Sequence, residues 1–244
     1  MEDPQELLRT LEYPGRLIVI GAPPGNGHAV ILYAITGRSP SSQARKLVLR
    51  DGGIWVQPTD EEILKKGHVD LLVYPAVLFG PAGLAVSNGK QTADIRDGLA
   101  PGADPVSVLS LALSAWNFEP DAPIFTPRIS GCLVGGRAAL SVVRRGPAGE
   151  TLRHYFETVL RPGEGGLVST YEGPNAEPLP AFRGEPRPIR LAGSTAAEAA
   201  ETAYADLAPA QGRKDFRVAV ACVFAPLSEP DKAEVRLINR HDRI

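Results

Sequence analysis

Cysteine is nearly absent from this chain of 244 residues. Cys132 in RISGCLVGG and Cys222 in RVAVACVFA lie ninety positions apart, each inside an apolar run. Two such thiols make no disulfide framework, and their surroundings predict buried free thiols in core strands. Histidine is scarce as well. His28, His68, His154 and His241 show no metal-ligand spacing and none pairs with a cysteine in a zinc pattern, so a metal cofactor is not suggested. An excess of one charge is also missing: 26 Lys and Arg stand against 28 Asp and Glu, a formal net charge of −2. Such a balance supplies no basic field for nucleic acid or an anionic membrane, so neither is expected as a partner. Any anion must be held by a few local arginines. No apolar stretch approaches the ~18 residues of a spanning helix, and the opening MEDPQELLRTLEY lacks the basic and apolar regions of a signal peptide. A cytoplasmic enzyme or binding protein is the expectation.

What is present is a sizeable core, with 43% hydrophobic and 22% charged residues, which excludes global disorder. Twenty-five glycines and 23 prolines are spread between short apolar, β-branched runs, the punctuation of many strands joined by turns. Strands are predicted to start at Arg16, His28, Lys46, Gly53, Val69, Gly83, Ile129, Ala138, Leu152, Gly166, Arg217 and Glu234. The stretches Val30 to Ile35 and Val218 to Phe224 are apolar at nearly every position, so both faces of their sheet must be covered. Two helices are predicted. In ADPVSVLSLALSAWNF, Asp104 caps the first turn, Pro105 suits the first helical position, and Val106, Leu109, Leu113 and Trp116 share a face. In STAAEAAETAYADLAP, Thr195 and Glu198 have capping-box spacing and the segment stops before Pro209. An α+β layered sandwich follows, read as one domain over residues 1–244, with a loop-rich stretch from Gly173 to Gly193.

The segments able to carry chemistry lie between these elements. GAPPGNGH, from Gly21 to His28, lacks the Lys-Ser/Thr ending of a phosphate loop and reads as a Gly-rich hairpin turn. TGRSPSSQAR sets Arg38 and Arg45 among hydroxyls after a buried strand, chemistry that suits a phosphate or merely a solvated loop. VSNGKQT contains Asn-Gly, which predicts a tight hairpin turn at Asn88. Glu119 follows a helix, TPRIS brings Thr126 and Arg128 to the start of a strand, and STYEGPN puts Tyr171 and Glu172 at the end of another. Each alone reads as a surface or capping residue. Their recurrence at strand ends points to one shared cleft.

Together these stretches resemble the archaeal-type IMP cyclohydrolases, which close the purine ring in the last step of purine biosynthesis. The resemblance is carried by YPGRLIVIG from Tyr13, the strand with Tyr33 leading to TGRS, VYPAVLFGPAGLAVSNGKQT from Val73, LSLALSAWNFEPDAPIFTPRI from Leu109, and VSTYE from Val168. It leaves residues 1–12 as an amino-terminal extension. The resemblance implies a four-layer α-β-β-α sandwich similar to N-terminal nucleophile hydrolases, without their chemistry; Met1-Glu2 is not the Cys, Ser or Thr that such chemistry needs. It also implies a nucleotide substrate, no cofactor, and ring closure of 5-formamidoimidazole-4-carboxamide ribotide to inosine monophosphate. A homo-oligomer is compatible with it. A nucleotide-binding protein without turnover, and more remotely an amidohydrolase of the related fold, are the alternatives.

Carried over by the resemblance, Glu119 works on a proton and Tyr74 donates to the formyl or carboxamide oxygen. Arg38 and Arg128 bind phosphate or developing negative charge, Asn88 orients the ring, and Tyr33, Thr126 and Tyr171 complete the substrate-binding set. The bland reading makes Arg128 the ion-pair partner of Glu119 and Asn88 turn chemistry only. Two departures stand out. The family's acid after the SNG threonine is displaced here by Ala93 to Asp94, on the opposite face if the stretch is extended. The longer SPSSQAR loop leaves the equivalence of Arg45 open.

Overall fold

Strands without a polar face can only be stable with apolar material on both sides, and the chain meets that demand by stacking two sheets. A computed structural model describes residues 6–25, 27–60 and 73–243. In chain order the strands are β1 (Arg16–Gly21), β2 (His28–Thr36), β3 (Arg45–Arg50), β4 (Gly53–Pro58), β5 (Tyr74–Gly80), β6 (Gly83–Ser87) and β7 (Arg128–Val134). They continue with β8 (Arg137–Arg145), β9 (Thr151–Thr158), β10 (Glu164–Ser169), β11 (Arg187–Arg190), β12 (Arg217–Pro226) and β13 (Glu234–Asn239). One sheet runs β11-β10-β1-β2-β12-β13; the other is a meander, β3 to β9 in order. All pairings between these strands are antiparallel.

Alternation along each strand sorts the side chains. Ile18, Ile20, Ile31, Ile35, Ala221 and Val223 of the first sheet meet Leu84, Val86, Ile129, Leu133, Leu140 and Val142 of the second in one dry core. The opposite face of the first sheet, with Val19, Val30, Leu32 and Val220, is covered by helix α1 (Leu7–Thr10) and by the alanine-rich helix that ends the helical series, described below. A second short helix, α2 (Pro40–Gln43), precedes β3. Helices α3 (Thr92–Asp97) and α4 (Pro105–Ala112) cover the outer face of the second sheet over Ala85, Cys132, Val134, Ala139 and Val143. The alanine-rich α5 (Ala196–Asp206) lays Ala196, Ala199, Ala200 and Ala203 on the first sheet. Each fully buried Ile or Leu in these layers contributes about 1.5–3 kcal/mol. Both cysteines are buried free thiols, and burial pushes each thiol up to about 12.

The caps are as expected in kind. The Asp104 carboxylate accepts from the Ser107 amide at 2.8 Å, and the Thr195 hydroxyl accepts from the Glu198 amide at 3.2 Å. The Glu198 carboxylate accepts from Ser194 N–H instead of the cap residue's own amide. α4 stops at Ala112, short of Trp116, and buries Val108 with Leu109 and Leu113, while Val106 and Trp116 pack only partly.

Other expectations need correction. Asn88-Gly89 is not a hairpin turn: it links β6 to α3, because the strands flanking β6 are β5 and β7. Asp94 therefore lies on a helix, so the extended-strand argument for its face fails; it accepts from the Trp116 indole N–H at 2.7 Å. The strand expected from Val69 falls largely outside the described residues. The described strand starts at Tyr74 and includes Pro75, where the register with β4 shifts and pairing with β6 has not begun. A missing N–H is tolerated at such a bulge. β11, a four-residue edge strand with Pro188, arises inside the stretch expected to be loop.

The close approach of β6 and β7 depends on Gly83, since a Cβ there would lie 1.8 Å from the carbonyl oxygen of Leu133. Gly83→Ala should lower unfolding free energy by about 1–3 kcal/mol, the usual cost of overpacking. Urea denaturation measures this; parental stability would contradict the contact.

Candidate active site

The face that Ile18 and Ile20 present to the core also carries Arg16, two residues earlier on β1. The same parity carries Tyr33 with Ile31 and Ile35, Arg45 with Leu47, and Tyr74 with Ala76. All four polar groups thus emerge at one end of the space between the sheets. Around that end, β6 leads to Asn88, β7 begins at Arg128 and β10 leads to Tyr171. The result is a cleft of two lobes that share Arg16, Glu119 and Asp121. The nearer lobe, about 440 Å³, adds Tyr74, Asn88, Gly89, Lys90, Trp116, Pro120 and Arg128. The farther lobe, about 320 Å³, adds Tyr13, Arg38, Ser39, Ser41, Ser42, Arg45, Ile124, Thr126, Tyr171 and Leu179.

Glu119 is 5% exposed and is held by two bonds from Arg128, Nη1 to Oε1 at 2.6 Å and Nη2 to Oε2 at 3.0 Å. Arg128 also donates to the carbonyl of Asn117 and to the Gln91 side chain, and its guanidinium lies 4.7 Å from the centre of the Trp116 ring. A planar fork shared among three acceptor groups and an indole suits arginine and not lysine. Burial lifts the Glu119 carboxyl above the usual carboxylate range, although Arg128 and Arg16 oppose the rise. Burial likewise lowers Arg128. The Glu119 backbone is tied to the strand entry by its N–H to the Thr126 carbonyl, 2.9 Å.

Tyr33 and Tyr74 join hydroxyl to hydroxyl at 2.8 Å, across from one sheet to the other. Tyr33 is completely buried and stands one layer behind Tyr74, which forms the cleft wall. Burial and the neighbouring Tyr74 push the Tyr33 phenol well above its ordinary value. Asn88, 2% exposed, uses its amide to hold the start of β7: it donates to the Pro127 carbonyl and accepts from Ile129 N–H and Gln91. The Thr126 hydroxyl bridges Asp121 at 2.5 Å and Tyr171 at 3.0 Å. Tyr171 stacks on Tyr13. Arg38 pairs with the Glu177 carboxylate at 2.7 Å, where Glu177 is 79% exposed.

Every residue expected at the site therefore gathers at this end of the sandwich. Tyr74, Asn88, Glu119 and Arg128 line one lobe, Arg38, Thr126 and Tyr171 the other, and Tyr33 touches the cleft only through Tyr74. Sequence reasoning passed over Arg16, although it stands in the quoted YPGRLIVIG. It also left Arg45 undecided; Arg45 is 3% exposed, lines the farther lobe, and donates to the carbonyls of Ser42 and Thr36. Burial lowers the Arg45 guanidinium, with Arg16 nearby adding to that effect. Gly15, with φ +74°, delivers Arg16 into the cleft; its N–H and carbonyl both bond Thr36, and a Cβ would strike the Thr170 hydroxyl. No group of three or more His, Cys, Asp or Glu among the described residues is arranged to hold a metal ion.

Breaking the buried pair from one side should be costly. Arg128→Met leaves Glu119 without its partner and should destabilise by about 3–5 kcal/mol, whereas Arg128→Met with Glu119→Gln should recover most of the loss. Chemical denaturation of the two variants checks this, and equal losses in both would argue against the pairing.

Comparison with known proteins gives this geometry its context. A family model described as IMP cyclohydrolase-like protein matches residues 13–226. The IMP cyclohydrolase of Methanothrix thermoacetophila is 30% identical over 169 residues, covering 68% of this chain and 78% of the relative. That of Methanopyrus kandleri is 31% identical over 166 residues, covering 65% and 75%. The match begins at Tyr13, on the cleft wall, and spans every strand that contributes to the two lobes. This chain belongs to the IMP cyclohydrolase-like family.

Proposed function

We propose that this protein is an IMP cyclohydrolase, converting 5-formamidoimidazole-4-carboxamide ribotide to inosine monophosphate and water. The observation that carries the reading is that Glu119 and Tyr74 line one lobe of an arginine-rimmed cleft in a member of this family. A protein that only bound a nucleotide would need the arginines but no proton-transfer pair. Both reacting groups belong to one molecule, so the protein's task is to hold the carboxamide nitrogen and the formyl carbon in a coplanar, near-attack arrangement.

In this reading Glu119 accepts the proton of the attacking carboxamide nitrogen. Its raised carboxyl makes it a better base than an exposed glutamate. Tyr74 donates to the formyl oxygen, and Arg128 fixes the Glu119 carboxylate. Arg38, Arg45 and the hydroxyls of Ser39, Ser41 and Ser42 in the farther lobe suit the 5′-phosphate. Asn88 orients the ring by holding the strand entry under it, with Thr126 and Tyr171 closing the farther wall. Among the described residues no helix is long and apolar enough to cross a membrane. We read the chain as one cytoplasmic domain over residues 1–244 whose partner is a small nucleotide and neither nucleic acid nor membrane. Its layers are taken as a four-layer α-β-β-α sandwich similar to N-terminal nucleophile hydrolases.

Incubating the purified protein with the formylated ribotide and following inosine monophosphate by absorbance tests the activity directly; no product would refute it. Glu119→Gln should lower kcat by ~10²-fold or more while product affinity changes little. The base works when ionised, so wild-type kcat should fall at low pH through a value above the ordinary carboxylate range. A normal kcat in a stable Glu119→Gln protein would remove the proton-transfer role. Arg38→Ala should mainly raise KM, since a phosphate anchor acts alike on ground and transition states; an unchanged KM would take Arg38 out of the phosphate site.

A further inference from the structure

Four arginines reach the cleft, and three are already engaged: Arg38 by Glu177, Arg128 by Glu119, and Arg45 by two backbone carbonyls. Arg16 differs. Its guanidinium makes no hydrogen bond or ion pair to any described residue, and its Nε is closed off from solvent with no partner. A buried donor left unmet costs about 1–3 kcal/mol, and native structures keep few of them without a use. Arg16 and Glu119 also line both lobes, together with Asp121.

The surroundings say which kind of ligand atom is missing. Burial works against the Arg16 charge, but the phenols of Tyr74, Tyr171, Tyr33 and Tyr13 outweigh it and hold the guanidinium more firmly protonated than usual. Arg16 is thus a permanent cation with open donors, beside the two groups assigned to proton transfer. The serines and Arg38 that suit a phosphate lie only in the farther lobe. Its own backbone is fixed: Arg16 N–H donates to the Thr170 hydroxyl at 3.1 Å and its carbonyl accepts from Thr170 N–H at 2.9 Å.

Resting on the cyclohydrolase reading, we infer that Arg16 is a further catalytic residue, whose guanidinium donates to the formyl oxygen as that oxygen becomes an alkoxide. The carboxamide nitrogen attacks the formyl carbon, a C–N bond forms, and the C=O π pair moves onto oxygen facing Arg16. The nitrogen's proton passes to Glu119, and the alkoxide takes the Tyr74 proton to give a carbinolamine. The C–O bond then breaks. The oxygen leaves as water with the proton from Glu119, and the formamido nitrogen returns its proton to the Tyr74 phenolate as the ring C=N bond forms. One water is released and both side chains are restored. Arg16 offsets negative charge at two moments, on the alkoxide and on the Tyr74 phenolate.

The test uses the full chain with Arg16→Met and Arg16→Lys, measuring kcat, KM, inosine monophosphate affinity and melting temperature. Removing one oxyanion donor costs ~10²–10³-fold in kcat, so Arg16→Met should lose that much while product affinity and melting temperature hold. Arg16→Lys keeps charge without the fork and should recover only part. Millimolar guanidinium should restore some kcat to Arg16→Met and none to wild type. A raised KM with kcat intact would make Arg16 a phosphate anchor and overturn the inference. So would a joint loss of melting temperature, affinity and kcat, the mark of a structural residue. Wild type measured alongside separates the two claims: an inactive wild type refutes the cyclohydrolase reading, and this inference with it.

Discussion

The burial of one sheet's apolar face against the other is the constraint on which everything else in this protein depends. Ile18, Ile20 and Ile31 on one side and Leu84, Ile129 and Leu140 on the other are essentially inaccessible, and each must be dry for the sandwich to persist. That contact is non-directional, so it fixes a spacing between sheets but not their sliding register. Directional contacts supply the register: Asn239 of β13 exchanges two hydrogen bonds with the Leu47 backbone of β3, and others lie at the open end. Tyr33 to Tyr74 ties one sheet to the other, and Thr126 to Tyr171 ties the segment before β7 to the segment after β10. The site is therefore also a set of fasteners for the fold.

Placing cations at the edge of a dry core has an electrostatic result. Arg16 opposes the charge of both Arg45 and Arg128, and Glu119 answers Arg128 with a bidentate carboxylate. Water would screen such groups; a half-enclosed cleft does so far less. An anion entering it meets donors already oriented by strand ends and by carbonyls, so little reorganisation accompanies binding. Phe125, a non-glycine at φ +51° in the wall-forming loop, is held there by Asp121, whose carbonyl and carboxylate accept from Ile124, Phe125 and Thr126. Strain of this kind survives only where the surroundings over-determine it.

Much of this was legible in the chain. Runs such as Val30 to Ile35 announce a strand buried on both faces by composition alone, and Asp104 and Thr195 announce their helices through side-chain oxygens that meet free amides. The strand through Pro75 was hidden because proline normally argues against one, and only its position at a bulge makes it acceptable. Asn88-Gly89 resembled a hairpin turn locally; what decides otherwise is the distant start of β7, which consumes the Asn88 amide. Glu119 and Arg128 stood nine residues apart with opposite charges, so their pairing could be weighed beforehand. Arg16 is the instructive omission. A charge at the head of an apolar strand reads as solvent-facing, yet counting by twos from Ile18 and Ile20 assigns it to the inner face. The periodicity needed was present, but which face is inner was not.

The Tyr33 to Tyr74 bond carries a polarity that its length alone does not state. Tyr33 is sealed in the core, and among the described residues its hydroxyl has no hydrogen-bond partner but Tyr74. A phenol so enclosed must direct its hydrogen at Tyr74 or leave it unbonded in a medium that tolerates no such loss. Burial thus makes Tyr33 the donor and Tyr74 the acceptor, and the hydrogen of Tyr74 is left to point outward. Each bond in such a chain polarises the next. A side chain that never touches the cleft thereby decides which way the outermost hydroxyl faces, and sharpens it as a donor before any ligand arrives.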